Sequence, residues 1–183
     1  MVTDISEQQR IEDELRIANS KLEKLATTDA LTGIWNRHHF ERCMVVEIER
    51  AHRYGEPLSL LLLDIDHFKA INDRHGHQLG DRVLVEISRR LGRQMHDTDL
   101  LARWGGEEFV AVLPHTSARA TGALAERIRG LIPTLSLPGV GAVTISVGVA
   151  QLQPDDNLNS LFQRVDRALY TAKEGGRDRV VQA

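Results

Sequence analysis

The pattern of hydrophobic positions separates an amino-terminal segment, residues 1–27, from the rest of the chain. The apolar residues of this segment recur at alternating steps of four and three, and they are Ile11, Leu15, Ala18, Leu22 and Leu25. This a/d spacing predicts an amphipathic helix. The stripe is narrow, which favours a linker that pairs in parallel with a second copy. The alternative is a helix that lies on its own domain.

From residue 28 onward, short apolar runs alternate with stretches of helical periodicity. Turn-forming residues at 28–33 end the first helix, and Gly55-Glu56-Pro57 ends the second. The predicted helices cover residues 37–53, 79–95, 118–131 and 158–173, and the predicted strands cover residues 58–65, 100–104, 110–114, 143–152 and 180–181. The run 58–65 is almost entirely apolar, so we expect a central strand that is covered on both faces.

The order of these elements is helix, strand, helix, hairpin, helix, strand, helix. It predicts a split βαβ arrangement, an α+β fold of ferredoxin-like type with a mainly antiparallel sheet. The first strand and the first hairpin strand should run parallel through a right-handed crossover, with the second hairpin strand between them. Asp64 and Glu107 are then expected to meet at one end of the sheet, although they are far apart in the sequence.

Carboxylates occupy both of the strand ends that this topology brings together. Asp64-Ile65-Asp66 ends the most apolar run, and Gly105-Gly106-Glu107-Glu108-Phe109 forms a hairpin turn in which glycine allows a positive φ. Either acidic pair alone is typical of a surface loop. Together they predict a divalent-metal site, and such metals usually serve phosphate chemistry.

Composition and charge narrow the classes of function. No apolar run approaches the roughly 20 residues that cross a bilayer, and the polar amino terminus does not resemble a signal peptide. The single cysteine, Cys43, excludes an internal disulfide and fits a reducing cytoplasm. The net charge of −3 argues against a surface that binds nucleic acids in general. Binding of a nucleotide would therefore need local cations or a metal ion.

Four motifs follow one another along the chain. They are Asp29-Ala30-Leu31-Thr32-Gly33, Asp64-x-Asp66-x-Phe68-Lys69-x-x-Asn72-Asp73 with Gly80-Asp81, Arg103-Trp104-Gly105-Gly106-Glu107-Glu108-Phe109, and Tyr170-x-Ala172-Lys173-x-x-Gly176-Arg177. In this order they resemble a GGDEF domain, in its GGEEF variant. GGDEF domains are diguanylate cyclases, which condense two GTP into cyclic di-GMP and two pyrophosphates. The resemblance implies a palm-type catalytic domain at residues 28–183, preceded by a signalling or coiled-coil helix at residues 1–27.

The resemblance implies a role for each matching residue. Oxygen atoms of Asp64, Ile65 and Glu107 would bind two Mg²⁺ or Mn²⁺ ions. The catalytic residues would be Glu107, Asp64 and Lys173, with Glu108 beside them. GTP would be bound by His67, Phe68, Lys69, Asn72, Asp81, Gly105, Gly106, Lys173 and Arg177. A carboxylate accepts hydrogen bonds from guanine N1–H and N2–H, so Asp81 favours GTP over ATP.

One position departs from the family's pattern. Many members carry an Arg-x-x-Asp motif before the signature, which is an inhibitory site for the product. Here His96 replaces the arginine, while the acid is kept as Asp99. Histidine lacks the bidentate fork of arginine, so we expect weak or absent product inhibition by this route.

The resemblance also implies partners. Each site would hold one GTP, so catalysis needs a homodimer that forms through the amino-terminal helix and across the active sites. Asp4-Ile5-Ser6-Glu7 resembles the strand end after a PAS domain, which implies an upstream sensor in a longer, cytoplasmic protein. No nucleic acid or membrane segment is expected. The alternatives are a non-catalytic GTP or cyclic di-GMP binding module, a structural dimerisation module, and an enzyme that makes a mixed guanine–adenine dinucleotide.

Overall fold

The computed structural model describes residues 3–134 and 139–183. In chain order the elements are α1 (Thr3–Thr27), β1 (Trp35–Asn36), α2 (Arg37–Tyr54), β2 (Leu58–Ile65), α3 (Phe68–His75), α4 (His77–Gly92), β3 (Leu100–Gly105), β4 (Glu108–Pro114), α5 (Ala118–Leu131), β5 (Ile145–Gln151), α6 (Leu158–Glu174) and β6 (Val180–Gln182). None of the helices within these ranges combines the length and the hydrophobicity that a membrane span requires.

The six strands form one sheet in the order β1-β3-β4-β2-β5-β6. β2 is antiparallel to both of its neighbours, β4 and β5, and β3 and β4 form the hairpin. The edge strands β1 and β6 run parallel to β3 and β5. The predicted α+β fold is confirmed, and the second hairpin strand lies between β2 and the first hairpin strand, as the crossover rule predicts.

β2 is buried along its whole length because helices cover both faces of the sheet. Leu61 and Leu63 pack on the side of α3, α4 and α5, whereas Leu60 and Leu62 pack on the side of α2 and α6. Successive side chains of a strand point to opposite faces. The alternation therefore places Asp64, near the end of β2, on the face that α6 covers.

The structure contains two elements that the sequence pattern does not predict. β1 has only two residues, which is too short for any periodicity to be visible. α3 lacks a capping signature, because His67 precedes it with a left-handed φ of 57° and makes no side-chain cap. Several boundaries also differ: α4 is displaced toward the amino terminus from the predicted 79–95, β4 begins at Glu108 rather than at residue 110, and β5 begins at Ile145 rather than at residue 143.

α1 presents its apolar stripe to solvent. Ile11, Leu15, Leu22 and Leu25 are 58%, 62%, 63% and 73% exposed. The alternative prediction, in which the helix lies with this stripe on its own domain, is therefore wrong. The backbone is helical from Thr3, so Asp4-Ile5-Ser6 lie within α1. The upstream sensor that the sequence resemblance implies stays a prediction.

Candidate active site

Strand pairing brings the two acidic segments together at one end of the sheet. In the register of β2 and β4, Asp64 lies opposite Glu108. The Ile65 N–H donates to the Glu107 carbonyl at 3.3 Å, which fixes the turn to the end of β2. Residues directly opposite each other in an antiparallel pair project to the same face. Asp64 and Glu108 therefore share a face, and Glu107 lies in the adjoining turn.

The two signature glycines form the backbone of this turn. Gly105 is the last residue of β3, and Gly106 adopts the left-handed φ of 51° that the sequence predicts for a turn glycine. A Cβ built on either residue would meet no other atom within 4 Å. The surface above both glycines is therefore open, so a ligand can approach the backbone closely.

α6 contributes a cation to the group of acids. Lys173 lies in the last turn of this helix, and its Nζ is 2.7 Å from Asp64 Oδ2. The Asp64 side chain is only 9% exposed, and that of Lys173 is 32% exposed. Because a buried carboxylate needs a compensating charge or donor, this ion pair fixes Lys173 at the end of β2.

The acids oppose one another's ionisation. Burial raises the pKa of Asp64, and Glu107 adds to this effect, although the Lys173 ammonium counteracts it. Burial likewise raises the pKa of Glu108, and the charges of Asp64 and Asp166 raise it further. A half-buried group of carboxylates with raised pKa values is a place where a bound cation is favourable.

A pair of residues to which the sequence assigns no role holds the turn from the other side. Arg103 donates from Nε and Nη2 to the Gly106 carbonyl, at 3.0 and 2.8 Å. Its Nη1 lies 3.2 and 3.3 Å from the two carboxylate oxygens of Asp29. Burial alone would raise the pKa of Asp29, but hydrogen bonds from Thr32 and the charge of Arg103 hold that pKa below its usual range. The turn that carries Glu107 is thereby tied to the segment that follows α1.

The predicted guanine-reading residues lie at the corner between α3 and α4. Asn72 packs against Gly80, and a Cβ on that glycine would lie 1.9 Å from Asn72 Oδ1. This oxygen is buried and has no hydrogen-bond partner among the described residues. Asp81 follows Gly80 in α4 and is exposed. The corner thus places the Asn72 amide, whose oxygen is buried against Gly80, next to the turn of α4 that carries the exposed Asp81 carboxylate.

The predicted phosphate-binding segment forms the start of α3. His67 and Lys69 are exposed, whereas the Phe68 side chain is 7% exposed and belongs to the core. Only the backbone of Phe68 is therefore available to a ligand. The first N–H groups of a helix have no partner within the helix, and His67 provides no side-chain cap.

The second acid at the end of β2 does not belong to the acidic group around Asp64. Both oxygens of Asp66 accept hydrogen bonds, from the hydroxyls of Thr144 and Ser146 and from the backbone N–H of Asp178. Arg177, the second predicted phosphate-binding residue, precedes Asp178 in the same turn and is exposed. No local sequence signal marks these contacts, because the partners are remote along the chain.

The donor set fits a cation that phosphate oxygens help to bind. Within residues 3–134 and 139–183, no three His, Cys, Asp or Glu side chains gather closely enough to hold an ion by themselves. Mg²⁺ commonly takes only one or two protein carboxylates in addition to phosphate and water. Asp64 and Glu107 would supply that number.

The predicted remnant of a product-inhibition motif, His96 to Asp99, forms a tight turn. The His96 N–H donates to Asp99 Oδ2 at 2.7 Å, and the Asp99 N–H donates to the His96 carbonyl at 3.0 Å. The carboxylate of Asp99 is thus partly used by its own backbone. Its neighbour His96 is exposed and offers only an imidazole where the motif has a guanidinium.

Comparison with known proteins identifies the class to which this fold and site belong. Residues 26–179 match the sequence family described as diguanylate cyclase, GGDEF domain, and the chain belongs to this family. Its sequence is 42% identical over 183 residues to diguanylate cyclase DgcM of Escherichia coli K12. The aligned region is all of this chain and 43% of DgcM. It is also 41% identical over 176 residues to diguanylate cyclase DgcP of Pseudomonas aeruginosa. The aligned region is 93% of this chain and 26% of DgcP. The chain therefore spans less than half the length of either relative.

Solved structures confirm the fold. The coiled coil and GGDEF domain of DgcB from Caulobacter crescentus, solved in complex with cyclic di-GMP, matches with a TM-score of 0.93 and 33% identity, covering 99% of this chain and 98% of the DgcB chain. The active GGEEF domain of a diguanylate cyclase from Vibrio cholerae matches with a TM-score of 0.77 and 34% identity, covering 80% of this chain and 96% of that one.

Proposed function

We propose that this chain is the catalytic part of a diguanylate cyclase, which condenses two GTP into cyclic di-GMP and two pyrophosphates. The observation that carries the proposal is the meeting of Asp64 with Glu107 and Glu108 at one end of the sheet, with Lys173 2.7 Å from Asp64. The same site lies in a chain whose relatives DgcM and DgcP are named as diguanylate cyclases.

The residues divide into a cation-binding group and a nucleotide-binding group. Asp64, Glu107 and the Ile65 carbonyl would hold two Mg²⁺ or Mn²⁺ ions, which supply charge neutralisation at the α-phosphate and lower the pKa of the attacking hydroxyl. Lys173 and Arg177 bind the triphosphate. The backbone N–H groups of Phe68 and Lys69 at the start of α3 bind its oxygens.

Guanine recognition belongs to the corner between α3 and α4. The exposed carboxylate of Asp81 accepts from N1–H and N2–H of guanine, a donor pair that adenine does not have. The Asn72 amide adds a second polar contact on the same edge. This is the reason to expect GTP rather than ATP, and cyclic di-GMP rather than a mixed dinucleotide.

The reaction needs two copies of the chain, because each copy holds one GTP. The 3′-oxygen of one nucleotide attacks the α-phosphorus of the other, the bond to pyrophosphate breaks, and Glu107 accepts the hydroxyl proton. Two such steps close the ring. The copies are brought together by pairing of α1 through its exposed apolar stripe, and a sensor domain upstream in a longer cytoplasmic protein would control that pairing.

The test is product analysis. The protein is incubated with GTP, with ATP, and with both in the presence of Mg²⁺, and the nucleotides are resolved by chromatography. GTP alone should give cyclic di-GMP and pyrophosphate, and Asp64→Ala should reduce the rate by at least about a thousandfold because it removes a cation ligand. Asp155→Ala, which removes an exposed acid outside the site, is the control.

The main alternative is a regulatory module that binds GTP or cyclic di-GMP without chemistry. Such a module would bind a radiolabelled nucleotide yet release no pyrophosphate at any protein concentration. The retained acids Asp64, Glu107 and Glu108 disfavour it, because binding of a polyanion by itself is weakened by clustered carboxylates.

A further inference from the structure

Asp66 lies only two residues after Asp64 but is surrounded by donors rather than by acids. It is 4% exposed. Its Oδ1 accepts from Ser146 Oγ at 2.7 Å, and its Oδ2 accepts from Thr144 Oγ1 at 2.7 Å and from the Asp178 N–H at 3.0 Å. A buried carboxylate of this kind is a fixed acceptor and is not free to bind a cation.

The third of these donors belongs to a turn with an unusual backbone. In the turn at residues 176–178, Gly176, Arg177 and Asp178 have φ values of 109°, 60° and 43°. Positive φ is uncommon for residues other than glycine, and two in succession persist only where the surroundings hold them. We call this segment the 176–178 turn.

Five contacts hold the 176–178 turn. Two of them join close neighbours in the sequence: the Gly176 N–H donates to the Lys173 carbonyl at 3.3 Å, and Arg179 Nε donates to the Arg177 carbonyl at 3.1 Å. The Arg177 N–H donates to the Ala172 carbonyl at 3.1 Å, and Arg129 Nη1 lies 2.8 Å from Asp178 Oδ1. The side chains of that ion pair are 30% and 43% exposed, so water weakens it. The hydrogen bond to Asp66 joins a backbone donor to a buried charged acceptor, which makes it the strongest of these contacts.

We propose that Asp66 is a positioning residue, whose carboxylate holds the 176–178 turn and thereby places Arg177 beside the strand end that carries Asp64. This inference rests on the proposed role of Arg177 in binding the triphosphate. Two acids of one strand end then have separate tasks. Asp64 contributes to the cation site, and Asp66 fixes a phosphate-binding residue that is remote in the sequence.

The rival explanation is that Asp66 only stabilises the sheet through the two hydroxyls of β5 and the residue before it. Four variants separate the two explanations. Asp66→Ala removes every acceptor, and Asp66→Asn keeps the shape while removing the charge and one acceptor. Thr144→Val and Ser146→Ala remove one hydroxyl each and leave the hydrogen bond to Asp178 possible.

The first measurement is hydrogen exchange of the backbone amides at residues 177–179. Loss of a hydrogen bond to a charged acceptor should speed exchange of the Asp178 amide by at least about tenfold in Asp66→Ala, and by less in Asp66→Asn. Thr144→Val and Ser146→Ala should leave that amide protected. Thermal unfolding accompanies each variant, and if Asp66→Ala does not fold, the isosteric Asp66→Asn carries the test.

The second measurement is the affinity for the α,β-methylene analogue of GTP with Mg²⁺, which reports binding without turnover. Arg177→Ala should raise the dissociation constant of the analogue by about tenfold, because it removes a charged contact to phosphate. Asp66→Ala should raise this dissociation constant to a similar extent. The double variant should bind no worse than Arg177→Ala alone, because both changes remove the same interaction.

Each contrary result has its own meaning. If Arg177→Ala weakens binding but the Asp66 variants do not, the positioning role is overturned and the proposed function stands. If Thr144→Val or Ser146→Ala reproduces the Asp66 effect, sheet stability is the cause and the positioning role is again overturned. If Arg177→Ala leaves the affinity unchanged, Arg177 does not bind the triphosphate, and the positioning role of Asp66 is overturned as well.

Discussion

Glu108 is a residue whose charge opposes folding. It is half-buried opposite Asp64, and burial followed by the Asp64 charge raises its pKa. A carboxyl with a higher pKa in the folded than in the unfolded state holds its proton more tightly when folded. The protein therefore loses stability as the pH rises from the ordinary range of a glutamate through the raised value. Residues of this kind are typical of functional sites.

Glu108→Gln should accordingly stabilise the protein at neutral pH, although it removes a negative charge beside the proposed cation site. We expect the unfolding midpoint, measured without added metal, to rise by roughly 2 °C at pH 7.5. The difference from the wild type should shrink as the pH falls into the ordinary range of a glutamate, where both side chains are neutral. Glu49→Gln, a change at an exposed acid, should show no such dependence. A midpoint lowered by Glu108→Gln at pH 7.5 would contradict the account.

His96 gives a second prediction at this scale. The wild type should bind cyclic di-GMP weakly at the His96–Asp99 turn, because imidazole cannot form the bidentate contact. His96→Arg restores the fork, and it should lower the product concentration that halves the cyclase rate by about tenfold or more. Binding is measured by calorimetry with the active site blocked by the α,β-methylene analogue of GTP. A sub-micromolar dissociation constant for the wild type at this turn would refute the prediction.

Among single residues, the sequence predicts those whose chemistry is local and misses those that act through distant partners. Asp64 and the turn glutamates stand out because each follows a strand or a glycine pair. Asp66 looks equally plausible as a ligand and Arg103 carries no local signal, yet both hold backbone in place. Asp66 accepts from Asp178, which is 112 residues away, and Arg103 pairs with Asp29, which is 74 residues away. Only the folded chain reveals these partners.

At the scale of elements, β2 and the β3–β4 hairpin follow directly from the sequence. The apolar run of β2 and the glycines of the turn leave few alternatives, and the crossover rule then fixes the strand order. β1 and α3 escape prediction because neither is long enough to display a period. Their structure is imposed from outside, by pairing of β1 with β3 and by packing of Phe68 into the core.

The exposed stripe of α1 makes a prediction about assembly. Leu15→Lys with Leu22→Lys places charges at two stripe positions and should raise the dissociation constant of the dimer by more than about tenfold. The unfolding midpoint of the domain should stay within about 1 °C, because both side chains are already exposed in the single chain. Sedimentation and the dependence of specific activity on protein concentration are the measurements.

Ile17→Lys is the matched control for this change. Ile17 is 53% exposed on the same helix but lies outside the a/d stripe. It should leave both dimerisation and activity unchanged. Equal effects of the stripe and control variants would show that α1 does not pair through the stripe, and that a different surface joins the copies.

At the scale of the whole molecule, three separate segments meet at one end of one sheet. β2 brings Asp64, the hairpin brings the two glutamates, and α6 brings Lys173. The ion pair of Arg103 with Asp29 adds a connection from this end of the sheet to the segment that follows α1. The same sheet therefore carries the site and joins it to the helix through which we propose the copies pair.

The most direct test of this account is anomalous diffraction from crystals grown with Mn²⁺ and the α,β-methylene analogue of GTP. We expect manganese peaks within coordination distance, about 2.2 Å, of Asp64 and Glu107, below the triphosphate, with Lys173 contacting a phosphate oxygen. Absence of manganese between these two acids, in crystals where the nucleotide itself is clearly bound, would contradict it.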